Sequence, residues 1–203
     1  MLSIKPIITH AICAAALLTA HSAQASNLFV NAGFEDGTDP WVLVESEVQP
    51  WDDKAKTGTN TLFIKTFLSN TSAFQSVDVT AGSGYQFDAN FLFEDSTADI
   101  IGLSGKLIIN WLNDDTLLSS DEAAIDFPAA ANVYSLSSLL AAAPDTANKA
   151  DVGFVFTHPG EQLPGGALSV FGDDFSFTAV EIPEPASIAL LSLAGLLTLS
   201  RKR

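Results

Sequence analysis

From residue 85 to residue 93 the side chains alternate. Tyr85, Phe87, Ala89, Phe91 and Phe93 fall on one face, and Gln86, Asp88, Asn90 and Leu92 on the other. A period of two is the signature of a β-strand whose one face is buried. Similar short runs occupy 61–67, 73–79, 106–112, 133–139, 152–157 and 173–180, and in the last of them Phe175, Phe177 and Ala179 share a face. Between the runs lie clusters of Gly, Asn, Asp, Ser and Thr at 56–60 and 81–84, and a Pro- and Gly-rich stretch at 159–166, which is turn chemistry. Residues 136–143 are rich in Leu and Ala and admit a helix as well as a strand. Many short strands with such turns predict an all-β antiparallel sandwich formed by one domain over 26–182.

The two ends follow a different pattern. Residues 1–25 comprise a short segment holding Lys5, an apolar run from about Ile7 to Ala20, and small residues at Ala23 and Ala25. That is the layout of a secretion signal peptide cleaved after Ala25. The lone cysteine, Cys13, lies within it, so the mature chain is expected to hold no disulfide and no thiolate metal site. At the other end, 183–203, Pro183-Glu184-Pro185 precedes fifteen uncharged residues and then Arg201-Lys202-Arg203. At 1.5 Å per residue such a helix reaches about 22 Å, short of a ~30 Å hydrocarbon core. The basic triplet would hold this terminus in the cytoplasm and leave the domain outside.

Tripeptide, apolar stretch and basic cluster resemble, in that order, the PEP-CTERM sorting signal. The resemblance implies an exosortase-type membrane enzyme as partner and a brief stay at the inner membrane through the C-terminal transmembrane helix. It further implies a destination at the cell surface or in the extracellular polysaccharide matrix.

Charge removes other classes of function. The chain carries 9 basic against 24 acidic residues. Between Ser26 and Ile182 five lysines face 23 acids, a balance of −18 with no arginine. So negative a surface repels phosphate backbones, which argues against a nucleic-acid partner, and attracts divalent cations. Catalysis has little support: His158 is the one histidine left after the signal, and no nucleophile elbow, zinc-protease helix or phosphate loop occurs. The Asp114-Asp115 pair carries no information in so acidic a chain. The protein is therefore read as a non-enzyme, with a glycan hydrolase a distant third reading.

The domain's edges carry a second likeness. It opens with Asn31-Ala32-Gly33-Phe34-Glu35 and closes with Asp173-Asp174-Phe175-Ser176. Lys56-Thr57-Gly58-Thr59-Asn60, Gln75-Ser76-Val77 and Gly82-Ser83-Gly84-Tyr85 come between, in that order. This order resembles the carbohydrate-binding-module-like, galactose-binding-domain-like jelly rolls. What that resemblance implies is a strand beginning at the first motif, non-catalytic polysaccharide binding, and a structural Ca²⁺ pinning the two chain ends. Glu35 and Asp173 would be its ligands, with Asp174 as the one-residue alternative and backbone carbonyls near Gly33 and residues 56–60 completing the shell. Oxygen-only donors suit calcium. Sugars in such modules stack on aromatic rings. Trp41 and Trp111 sit at positions expected in the core, which leaves Trp51, in the polar turn Gln49-Pro50-Trp51-Asp52-Asp53, as the candidate ligand platform. A structural or adhesive surface protein that binds other proteins, or itself, through sheet edges is the alternative reading.

Overall fold

The computed structural model describes residues 26–67, 70–94, 102–158 and 169–182. Ten strands follow in chain order: β1 Val42–Val44, β2 Ser46–Gln49, β3 Thr61–Ile64, β4 Thr71–Asp78, β5 Gly84–Phe93, β6 Ser104–Asn113, β7 Thr116–Ala124, β8 Tyr134–Ala142, β9 Lys149–Thr157 and β10 Val170–Val180. They form two antiparallel five-stranded sheets, β1-β4-β9-β6-β7 and β2-β3-β10-β5-β8. The chain crosses repeatedly from one sheet to the other, which is the winding of a jelly-roll sandwich. No α-helix occurs among the described residues, so the 136–143 segment resolves as strand. Its odd positions Ser137, Leu139 and Ala141 face inward and its even ones face water.

The core is the aromatic face read from the sequence. Phe87, Phe91 and Phe93 of β5 meet Phe154 and Phe156 of β9 and Phe175 and Phe177 of β10, all fully buried. Phe91 and Phe154 pack edge to face at 5.2 Å and 84°, the geometry favoured by ring quadrupoles. Each such ring contributes roughly 1.5–3 kcal/mol by burial. Trp41 and Trp111 are buried as expected. Three strands stand where the alternation gave no sign, namely β1, β2 and β7.

The opening segment is a correction. No strand begins at Asn31-Ala32-Gly33-Phe34-Glu35; residues 31–37 form a turn in which Asn31 and Phe34 adopt φ of 53° and 61°. Asn tolerates that left-handed conformation, and its amide donates to the carbonyls of Gly37 (2.8 Å) and Asp39 (3.1 Å). Phe34 is held there by complete burial against Trp41 and Phe175. The segment before the turn runs along β10: Leu28 N–H donates to the Phe177 carbonyl (2.8 Å), and Asn27 bonds both Phe175 and Phe177. Gln75, buried in β4, bonds the N–H and C=O of Val30 at 2.8 and 2.9 Å. The start of the domain is thus tied to both sheets.

Candidate functional site

Two places gather polar chemistry. The first is the corner where the 31–37 turn, the 56–60 turn and β10 meet. A β-bulge between Asp173 and Ser176 interrupts the β10–β5 ladder, with Asp174 at φ 47°. Bulges re-aim side chains, and this one sets both aspartates beside Gly33, where an added Cβ would stand 3.4 Å from Asp173 Oδ1 and 3.5 Å from Asp174 Oδ1. Asp173 is fully buried. Its Oδ2 accepts the N–H groups of Lys56 (2.6 Å) and Thr57 (3.1 Å), and its Oδ1 accepts that of Asp174 (2.7 Å). The exposed Glu35 reaches the same turn from the other side, accepting from the N–H groups of Thr59 and Asn60, the latter at 2.9 Å. Gly58 has φ +69°, and a Cβ there would collide with the Glu35 carboxylate, so the turn requires glycine at that position.

Electrostatically the two acids differ. The Asn60 N–H, with further help from Thr59, holds the Glu35 carboxyl below the usual glutamate range. Burial pushes the Asp173 carboxyl above the usual aspartate range, against the pull of the Thr57 and Lys56 N–H groups. Burial likewise pushes the nearby Tyr134 phenol up; its hydroxyl donates to the Lys54 carbonyl at 2.7 Å.

The 56–60 turn therefore brings Glu35 and Asp173 to one loop, but it presents N–H groups where carbonyl oxygens were expected. Among the described residues no three His, Cys, Asp or Glu side chains converge as a ready metal cluster. The oxygens of Asp173 and Glu35 are met by backbone N–H groups instead, five in all. Three carboxylates surround Gly33 and the turn, with Lys56 3.5 Å from Asp174 as the cation paired to them.

Trp51 is 37% exposed, yet its ring packs on Phe63 at 5.0 Å and Phe171 at 5.8 Å, with Lys54 5.5 Å over the Phe171 ring. It closes an aromatic cluster on the outside of the β2-β3-β10-β5-β8 sheet, so much of its surface serves packing.

The second place was not singled out in the sequence. On the outer face of the β1-β4-β9-β6-β7 sheet the registers align Val42, Phe74, Gly153, Ile108 and Glu122 in one transverse row, one residue per strand. Phe74 is half-buried, belongs to no core contact and pairs with no other ring among the described residues. Its ring lies on Gly153, where a Cβ would stand 2.8 Å from Phe74 Cδ1. The adjacent row on the same face holds Ser76, Asp151, Asn110 and Ser120. Ser76 bonds Asp151, and Ser120 Oγ donates to Asn110 Oδ1 at 2.7 Å. Same-face rows lie roughly 7 Å apart. An apolar strip with a ring, next to a line of hydroxyl, carboxylate and amide groups, offers a sugar ring both a surface for its C–H face and partners for its hydroxyls. The face's lysines are engaged: Lys106 with Glu122 at 2.6 Å and Lys149 with Asp115 at 3.8 Å.

The secretion signal with Ala23 and Ala25, the Pro183-Glu184-Pro185 motif with its apolar helix, and Arg201-Lys202-Arg203 lie outside the described residues.

Comparison with known proteins adds a fold. No family model matches the chain, and no curated protein matches it. Solved structures do. A family 16 carbohydrate-binding module superposes with a TM-score of 0.56 at 16% identity over 76% of this chain and 100% of the module. The module TmCBM61, solved in complex with β-1,4-galactotriose, gives 0.52 at 16% identity over 77% of this chain and 100% of the module. The enzymatically active domain of bacteriophage CBA120 tailspike protein 4 gives 0.57 at 12% identity over 76% of this chain and 21% of that domain's chain. Identities this low establish a shared β-sandwich and nothing finer.

Proposed function

We propose that the chain is an exported protein of the cell surface or extracellular matrix that binds polysaccharide without transforming it, using the outer face of the β1-β4-β9-β6-β7 sheet. One observation carries the reading: Phe74 laid on Gly153 in an apolar row, beside the polar row Ser76–Asp151–Asn110–Ser120. The fold shared with modules named for carbohydrate binding, one of them holding a galactotriose, supports it. The ligand is an uncharged glycan, because the face holds Asp151 and Glu122 and its lysines are already paired. Trp51 is the second candidate platform, subordinate because its ring is engaged with Phe63 and Phe171.

Delivery rests on the termini: export by the signal at 1–25, then handling at the inner membrane by an exosortase-type enzyme that reads Pro183-Glu184-Pro185. Calcium belongs to the proposal as a brace. Glu35, Asp173 and Asp174 would hold it, and bound there it would supply charge compensation and a cross-link between the chain start and β10. The residues themselves already join those parts through the 56–60 turn.

Retardation of the protein in native gels containing neutral polysaccharides, with acidic ones alongside, tests the reading. Mobility that no polysaccharide alters would contradict it.

A further inference from the structure

Of the four strands that end the two sheets, three are guarded. β1 has three residues; β2 has four and contains Glu47; β7 carries Asp121 and Glu122 and pairs with β6 through a bulge. Short length, charge and bulging are the usual means by which sheet edges avoid pairing with other chains. β8 has none of them. Its nine residues, Tyr134–Ala142, include no charge, no proline and no glycine, and they pair with β5 in nine unbroken steps. Among the described residues nothing pairs with its other side.

The backbone phase is known. Ala143 N–H donates to the Ser83 carbonyl at 2.9 Å, in register with the β5–β8 ladder. The odd positions of β8 therefore bond β5, and the N–H and C=O groups of Tyr134, Leu136, Ser138, Leu140 and Ala142 point to the open edge. These same even positions carry the outward side chains, and Leu136 and Leu140 are 59% and 57% exposed.

We propose that β8 is an interface between two copies of this chain, paired antiparallel about a two-fold axis at Ser138. In that register Ser138 faces its own counterpart, Leu136 of each copy faces Leu140 of the other, and Tyr134 faces Ala142. The edge groups then form hydrogen-bonded pairs, and four exposed leucines meet on one face. Such a patch is its own complement, as a two-fold interface requires.

Charge selects the second copy as occupant. In a domain at −18, β8 is a nine-residue edge where two copies meet without opposing carboxylates. The nearest outward acid is Asp88, which pairs with Ser138 one strand in. Each Asp88 carboxylate accepts the Ser138 hydroxyl of its own copy at 2.5 Å, so the two acids would be separated by the facing serines at about 10 Å, close to a Debye length at physiological salt. The outer face bearing Phe74 lies on the other sheet and stays open in both copies. The pair would present two glycan faces, although the interface stands independently of glycan binding.

Sedimentation velocity on the full chain across a concentration series tests the interface, using wild type, Leu136→Lys, Leu140→Glu and an equimolar mixture of the two variants. Leu136 and Leu140 are exposed, and circular dichroism confirms that each variant keeps its sheet content. The expected result is reversible dimerisation of wild type, at least tenfold weaker in each variant and recovered in the mixture, where lysine faces glutamate. A wild-type protein monomeric throughout, association indifferent to both substitutions, or no recovery on mixing would overturn the proposal.

Discussion

Phe74 and Gly153 face each other across β4 and β9, and a Cβ at 153 would stand 2.8 Å from Phe74 Cδ1 and closer still to the Ala73 carbonyl oxygen. Ring and glycine form one feature, since Phe74 Cδ1 comes within contact of the bare position at 153. Gly153→Ala would drive the new methyl into the Ala73 carbonyl as well as the ring. Overpacking of this kind costs about 1–3 kcal/mol, so the variant's thermal midpoint should fall, and glycan binding should weaken with it. A Gly153→Ala protein indistinguishable from wild type in both would mean the contact is unimportant.

Trp51 predicts the opposite division of effects. Its ring closes the Phe63–Phe171 cluster, so Trp51→Ala should lower stability by roughly 1–3 kcal/mol in urea unfolding while leaving glycan affinity near that of wild type. A large loss of affinity at unchanged stability would instead make Trp51 the platform.

The acid corner should show in a pH series. Glu35 has its folded-state value lowered from 4.5, so its contribution is present above about pH 4.5 and is lost as pH falls through the lowered value. Asp173 has the other sign: its value is raised from 3.8, so its contribution is full below about pH 3.8 and is lost as pH rises through the raised value. Glu35→Gln should therefore flatten the acid-side decline of stability measured in chelator. An unaltered decline would show that the Thr59 and Asn60 contacts do not favour the ionised form.

Calcium acts on the same corner. A ligand that binds only the folded state raises stability by RT ln(1 + [L]/Kd), and its carboxylate ligands must be ionised. Calcium should raise the thermal midpoint at pH 7, a chelator should reverse the rise, and the effect should shrink near pH 4. Asp173→Asn should abolish it. A midpoint at pH 7 that ignores both calcium and chelator would remove the brace.

Much of the fold was legible because four of the five inward residues of β5, from Tyr85 to Phe93, are aromatic, which makes period two unmistakable. β7 gave no such signal because most of its residues on both faces are exposed at a sheet edge, so selection for alternation is weak there. β1 and β2 are too short to show a period and are separated by Glu45 at φ 48°. Asp173 was legible from its place before the Phe175/Phe177 face. The role of the 56–60 turn as N–H donor was not, since it depends on how the backbone of a distant loop is turned. The Phe74 row was hidden for a similar reason. β4 inverts the usual order, burying Gln75 to hold Val30 and turning Phe74 outward. Only the register of β4 against β9 reveals what lies beneath the ring.

The central claim is that an uncharged glycan rests on Phe74. Titration calorimetry of wild type and Phe74→Ala against a neutral polysaccharide that retards the wild type tests it most directly. Phe74 lies outside the core, so the variant should unfold at nearly the wild-type temperature while losing about tenfold or more in affinity, with wild-type binding little changed by salt. Equal affinity in the two proteins, or binding confined to acidic polysaccharides and abolished by salt, would contradict the account.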